Sequence, residues 1–96
     1  MMLVVAYDVD TTDQDGAKRL RKVAKLCQRY GMRVQNSVFE VMVDSAQLAE
    51  LKAGIRKLIH LDQDSVRFYR LGNNYQPRIE VIGRTAPIEA GEPILV

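Results

Sequence analysis

The chain has 96 residues, a net charge of +2 and a single cysteine, with 47% hydrophobic and 27% charged residues. That is the balance of one small globular domain, burying roughly 60–65% of its unfolded surface, and not of a disordered chain. One cysteine excludes an internal disulfide and any cysteine-rich zinc site, and no apolar run approaches the ~20 residues of a membrane span.

The first element is Leu3-Val4-Val5-Ala6-Tyr7, an unbroken apolar run that ends in Asp8 and Asp10. Such a run fits a strand buried on both faces. It has no basic stretch before it and meets Asp8 too soon for a signal peptide, so the cytoplasm is the expected location. Asp8 then stands at the carboxyl end of a strand, a common place for chemistry in α/β proteins. The alternative is that it opens a turn or caps the next helix. Asp10 reads as a loop residue.

Residues 11–16 form a loop and helix start, with Thr12 or Asp13 as N-cap. A helix from about Ala17 to Tyr30 follows, with Leu20, Val23, Ala24, Cys27 and Tyr30 on its buried stripe. Cys27 is therefore a core thiol with nothing to activate it. Gly31 is placed to end the helix in a left-handed cap. Charge is uneven here. Residues 1–15 hold four aspartates and no base, whereas residues 16–39 hold seven bases (Lys18, Arg19, Arg21, Lys22, Lys25, Arg29, Arg33) and no acid. A block of that kind is a solvated face or a phosphate-binding one.

From Arg33 to Val43 β-formers dominate. They give either two short strands, 33–35 and 38–43, reversing at Asn36-Ser37, or one bent strand with a bulge. In the two-strand reading Phe39, Val41 and Val43 share one face. Asp44 or Ser45 caps a second helix, with Gln47 completing a weak capping box. Leu48, Leu51, Ile55, Leu58 and Ile59 mark its apolar stripe. His60, alone of its kind, reads as structural rather than as a metal ligand. A strand over 65–71 puts Val66 and Phe68 on one side and Arg67 and Tyr69 on the other. Gly72-Asn73-Asn74 then turns the chain. A further strand is expected over 78–83, and the tail 84–96 ends in Pro93-Ile94-Leu95-Val96, which suits an edge strand.

The predicted fold is α+β and ferredoxin-like, β-α-β-β-α-β with an additional C-terminal strand, its two helices on one face of an antiparallel sheet. Residues 1–83 make the domain and 84–96 the tail. The first strand is apolar on both sides, so the open sheet face needs a cover, and a second copy of the chain is the simplest one.

Tyr7-Asp8, the basic run Lys18 to Lys25, and above all Tyr30-Gly31-Met32-Arg33-Val34-Gln35-Asn36-Ser37-Val38-Phe39-Glu40 carry a family resemblance. The chain resembles the second core CRISPR-associated protein, the small ferredoxin-like partner of the CRISPR integrase. The resemblance extends through Tyr69-Arg70-Leu71 to the tail. It implies a homodimer with open sheet faces packed together and each C-terminal strand joining the partner's sheet. It also implies a role in spacer acquisition, binding double-stranded DNA and bridging integrase dimers. A metal-dependent endonuclease activity on double-stranded DNA or single-stranded RNA is implied as well. Asp8 matches the aspartate implicated in that activity, and Tyr7 and Phe39 match positions that shape its site. Phe39 is otherwise an ordinary core aromatic.

Phosphodiester hydrolysis of this kind needs an activated water and neutralised phosphate oxygens, both of which Mg²⁺ (or Mn²⁺) supplies. One Asp8 is a poor ligand set, but two on a dimer axis suffice with waters and the substrate phosphate. Arg19, Arg21 or Arg33 would steady the phosphate. Lys18, Lys22, Lys25 and Arg29 complete the expected nucleic-acid surface. The competing reading is a non-catalytic scaffold that holds DNA and bridges integrase dimers. A single-strand RNA reader would need stacking aromatics on the open face, which is instead aliphatic.

Overall fold

The protein's structure, a computed structural model, describes residues 1–10 and 12–84. Strand β1 (Met2–Asp8) leads to helix α1 (Gly16–Cys27), the hairpin β2 (Gly31–Gln35) and β3 (Val38–Met42), helix α2 (Ser45–Leu58) and strand β4 (Ser65–Gly72). The sheet order is β2-β3-β1-β4 with every neighbouring pair antiparallel. This is the expected ferredoxin-like arrangement. The register sets Leu3 opposite Val41 and Val5 opposite both Phe39 and Phe68, so these side chains share a face. Val23, Ala24 and Cys27 of α1 and Leu48, Leu51 and Ile55 of α2 pack with them into one core. Both helices therefore lie on that face, where Phe39 and Leu51 are completely buried. No helix among the described residues is long and apolar enough to cross a membrane.

The second helix starts as its sequence requires. The Asp44 side chain accepts from the Gln47 backbone N–H at 2.8 Å, and the Gln47 side chain accepts from the Asp44 N–H at 3.0 Å, a complete capping box. The first helix differs from expectation at both ends. Asp15 occupies the cap position without a side-chain bond. Asp13 instead folds the loop, accepting from the Asp15 N–H at 3.0 Å. The helix stops at Cys27, and Gly31 is not its left-handed cap. Gly31 opens β2 opposite Val41, where any Cβ would collide with the Glu40 carbonyl oxygen. Close backbone approach, not positive φ, is what demands glycine there. Gly72 does take a positive φ, 81°, at the end of β4.

The strand expected over 78–83 does not form. Pro77 lacks an N–H for a ladder and sits in a 3₁₀ turn, Gln76–Arg78. The chain then returns without strand pairing beside β2 and β3. Ile79, Val81 and Ile82 line a groove there of about 420 Å³ with Met32, Val38 and Glu40. The tail strand expected beyond Arg84 lies outside the described residues. On the open face Val4 and Ala6 are only half-buried, and Met32, Met42 and Tyr69 are exposed.

Candidate functional site

Strand β1 separates two neighbouring side chains at its end. Strand pleating sends Tyr7 to the helix side and Asp8 to the open side. Tyr7 is almost completely buried, whereas Asp8 is exposed.

The Tyr7 hydroxyl donates to Asp64 at 2.6 Å. Asp64 lies just before β4, and its side chain is fully shielded from solvent. It also accepts from Arg19 Nε at 2.8 Å and Nη2 at 3.1 Å, and from the backbone N–H groups of Asp10 and His60, each at 3.0 Å. Burial pushes the Asp64 carboxyl upward, but the hydrogen bonds from Arg19, Tyr7, Asp10 and His60 outweigh it and hold the group well below the usual carboxylate range. The same contacts act in reverse on their donors. Burial, then the bond to Asp64, pushes the Tyr7 phenol up to about 12. The hydrogen bonds to Asp64 and then Asp13 hold the Arg19 guanidinium above its ordinary value. Arg19 reaches Asp13 at 2.7 Å as well. The loop after β1 is thus tied to α1 and to the α2–β4 connection by one buried ionic hub. Asp10 contributes its N–H to that hub, while its carboxylate accepts from the Thr12 N–H and hydroxyl. These last bonds, the hydroxyl's first, lower its pKa. It is the loop residue expected.

The open side is chemically different. Asp8 lines a polar hollow of about 310 Å³ with Ala6, Tyr7, Ser37, Ser65 and Arg67. Its carboxylate takes part in no hydrogen bond or ion pair among the described residues. Ser65 stands directly across from Asp8, and Arg67 across from Ala6. Ser37 arrives from the β2–β3 turn, and its carbonyl accepts from the Tyr7 N–H at 2.9 Å. Arg67 donates to the Tyr69 hydroxyl at 3.5 Å, and that contact raises its pKa. No group of three or more potential metal ligands exists among the described residues. Asp8 is the one carboxylate that lines this hollow.

The basic residues fall into two sets. Lys18, Arg21, Lys22, Lys25 and Arg29 are exposed on α1 and just past it. Lys18 and Lys22 line, with Asp15, Arg19, Lys57 and Leu58, a hollow of about 270 Å³ between the helices. Arg19 and Arg33 are engaged within the chain. Arg33 is buried, donates to the Asn36 carbonyl at 2.8 Å and side chain at 3.0 Å, and lies 5.9 Å from the Phe39 ring centre. Burial lowers its pKa. Phe39 lies on the helix side of the sheet, away from the Asp8 hollow. Tyr7 directs its hydroxyl to the hub. Sequence reasoning passes over Asp64 and gives Arg67 no role. The only signal for Arg67 is its polar position between Val66 and Phe68.

The family model for CRISPR associated protein Cas2 matches residues 1–79 of this chain. A CRISPR-associated endonuclease Cas2 of Halalkalibacterium halodurans is 53% identical over 95 residues, 99% of each chain. A CRISPR-associated endoribonuclease Cas2 of Rhodospirillum rubrum is 46% identical over 95 residues, 99% of this chain and 100% of that one. The crystal structure of Streptococcus pyogenes Cas2 at pH 6.5 superimposes with a TM-score of 0.80 at 52% identity, covering 86% of this chain and 100% of the other.

Proposed function

The chain belongs to the Cas2 family of CRISPR-associated proteins, the small ferredoxin-like component of the adaptation machinery, and on that premise we propose that it is a metal-dependent endonuclease acting on nucleic-acid phosphodiesters. The observation that carries the proposal is the state of Asp8. It is an exposed carboxylate at the end of a central strand, without a hydrogen-bond partner among the described residues, in a hollow that is also lined by Arg67 and two serines. The other acids around it, Asp10, Asp13 and Asp64, are all engaged.

Mg²⁺ is bound by one or two carboxylates completed by waters and substrate phosphates. One Asp8 meets the lower bound, and the Asp8 of a second protomer would meet the upper. The exposed Met32, Met42 and Tyr69 on the open face favour such a two-fold pairing. Bound there, Mg²⁺ or Mn²⁺ would lower the pKa of a water and offset charge on the phosphate. Asp8 would hold the cation, and the serines would offer hydroxyl donors to phosphate oxygens. The names of the relatives, one an endonuclease and one an endoribonuclease, agree with the reaction class and leave DNA and RNA both as substrates.

The test is cleavage of single-stranded RNA and duplex DNA by wild type, Asp8→Ala and Asp8→Asn, in Mg²⁺ and in chelator. Cleavage requires both Asp8 and Mg²⁺; metal-independent cleavage by Asp8→Asn would sink the proposal.

A second role rests on a separate observation, the five exposed bases Lys18, Arg21, Lys22, Lys25 and Arg29 on or beside α1. They suit a scaffold that holds duplex phosphates while the CRISPR integrase acts. Neutralising Lys22, Lys25 and Arg29 should weaken duplex binding and flatten its salt dependence. Spacer acquisition that survives in Asp8→Ala would assign the cellular role to this scaffold.

A further inference from the structure

We propose that Arg67 is the residue that holds the scissile strand's phosphate next to Asp8. The inference takes the role of Asp8 from the endonuclease reading, while the placement of Arg67 stands independently of it.

The β1–β4 register puts Asp8 opposite Ser65 and Ala6 opposite Arg67, so all four project from the open face. Asp8 and Arg67 are diagonal cross-strand neighbours, a relation that spans about 7–8 Å and lies within reach of long side chains. They nevertheless form no ion pair; the two salt bridges among the described residues both belong to Arg19. The Arg67 guanidinium makes a single long contact, 3.5 Å to the Tyr69 hydroxyl. Most of its five N–H donors therefore remain unused. A cation and an anion that share a polar hollow without closing on each other leave space for a group that satisfies both. A metal-bridged phosphate is such a group, since its oxygens accept from the guanidinium while the carboxylate holds the cation.

The other strand arginines do not offer this. Arg33 is opposite Phe39 and Arg70 is opposite Leu3, which puts both on the helix side of the sheet. Arg19 is held by Asp13 and Asp64. Arg67 alone among the described strand arginines shares the face of Asp8. The fork of a guanidinium matches two phosphate oxygens, which a lysine ammonium does not. The ligand class is accordingly the phosphodiester backbone, without dependence on the base.

Arg67→Ala, Arg67→Lys and Asp8→Asn, made in the full chain, test the assignment. Arg67 is exposed and its truncation removes one long hydrogen bond, so the melting temperature of each variant should match wild type and separate binding from folding. Anisotropy of a labelled duplex in chelator is read across salt concentrations, and cleavage is read in Mg²⁺. Arg67→Ala should lower the salt slope by about 0.9 for each phosphate that is no longer neutralised and lower the cleavage rate by roughly a hundredfold. Arg67→Lys should retain the salt slope and lose most of the rate, because charge survives and the fork does not. A wild-type slope in Arg67→Ala overturns the phosphate contact. A reduced slope with wild-type cleavage overturns its position beside the reacting phosphate. If Asp8→Asn cleaves like wild type, the endonuclease reading fails, and the salt slope still decides whether Arg67 binds phosphate.

Discussion

Asp64→Ala tests the claim that the chain after β1 is held by a buried ionic hub. The substitution removes a carboxylate that accepts five hydrogen bonds from four residues, Tyr7, Arg19, Asp10 and His60. Arg19 keeps Asp13 at 2.7 Å, but its side chain stays about nine-tenths buried with Nε unpaired. Breaking one side of a buried ion pair costs about 3–5 kcal/mol. Domains of this size are stable by ~0.05–0.15 kcal/mol per residue, so the loss is about a fifth of the whole or more. Urea denaturation at fixed protein concentration, with a slope of ~1.5 kcal/mol/M, should move its midpoint down by about 2–3 M. Tyr7→Phe removes one donor and should cost about 1.5–3 kcal/mol, the range for a hydrogen bond to a charged group. The double variant should lose less than the sum of the two, because both act on one network. The sign of the pH dependence follows from the depressed carboxyl. Its contribution is fully present above the unfolded value of ~3.9 and declines as pH falls from there. Wild type should therefore lose stability from about pH 4 downward, and Asp64→Asn should lose this component of the slope. A cost below ~1 kcal/mol for Asp64→Ala, or an unchanged acid limb in Asp64→Asn, would refute the hub.

Three further outcomes follow from packing and capping, and a fourth from burial. Gly31→Ala should destabilise by more than ~3 kcal/mol in the same assay, since backbone is the obstacle. Gly54→Ala should cost under ~1 kcal/mol or even stabilise, because its Cβ meets only the mobile end of Leu26, at 2.7 Å, and alanine favours the helix. Asp44→Ala should cost ~1 kcal/mol through loss of the capping box, also read by urea. Cys27 is completely buried, and burial pushes its thiol up to about 12, so alkylation at pH 8 should be slow in the folded protein and rapid in denaturant.

Local periodicity carries most of the architecture. Leu48, Leu51 and Ile55 on α2, Val66 and Phe68 on β4 and the reversal at Asn36-Ser37 are each encoded within a few residues of one another, and all take their expected places. Asp8 is visible because a carboxylate ending an apolar strand is a local pattern. Asp64 is not, because its partners Tyr7 and Arg19 are 57 and 45 positions away and nothing near Asp64 marks it as buried. Arg19 illustrates the same difficulty from the other side. Within a run of bases it resembles one more phosphate ligand, yet position along α1 turns it inward to two aspartates. Gly31 shows a different limit. A glycine at a helix end suggests a left-handed cap, and only the pairing of β2 with β3 reveals that carbonyl approach is the constraint.

The buried hub and the open hollow depend on each other through strand register. Tyr7 and Asp8 are consecutive, so whatever directs the Tyr7 hydroxyl to Asp64 directs Asp8 to the other face. A one-residue slip of β1 would bury the Asp8 carboxylate in the core and expose the phenol, at the cost of an unpaired internal charge. Asp64 also immediately precedes Ser65, the residue across from Asp8, so the hub fixes both strands that form the hollow at the point where they meet it. Arg19 serves the site in this way without touching it. Its interaction with Asp64 ties α1 to the point where β1 and β4 meet, in the register that leaves Asp8 and Arg67 on one face.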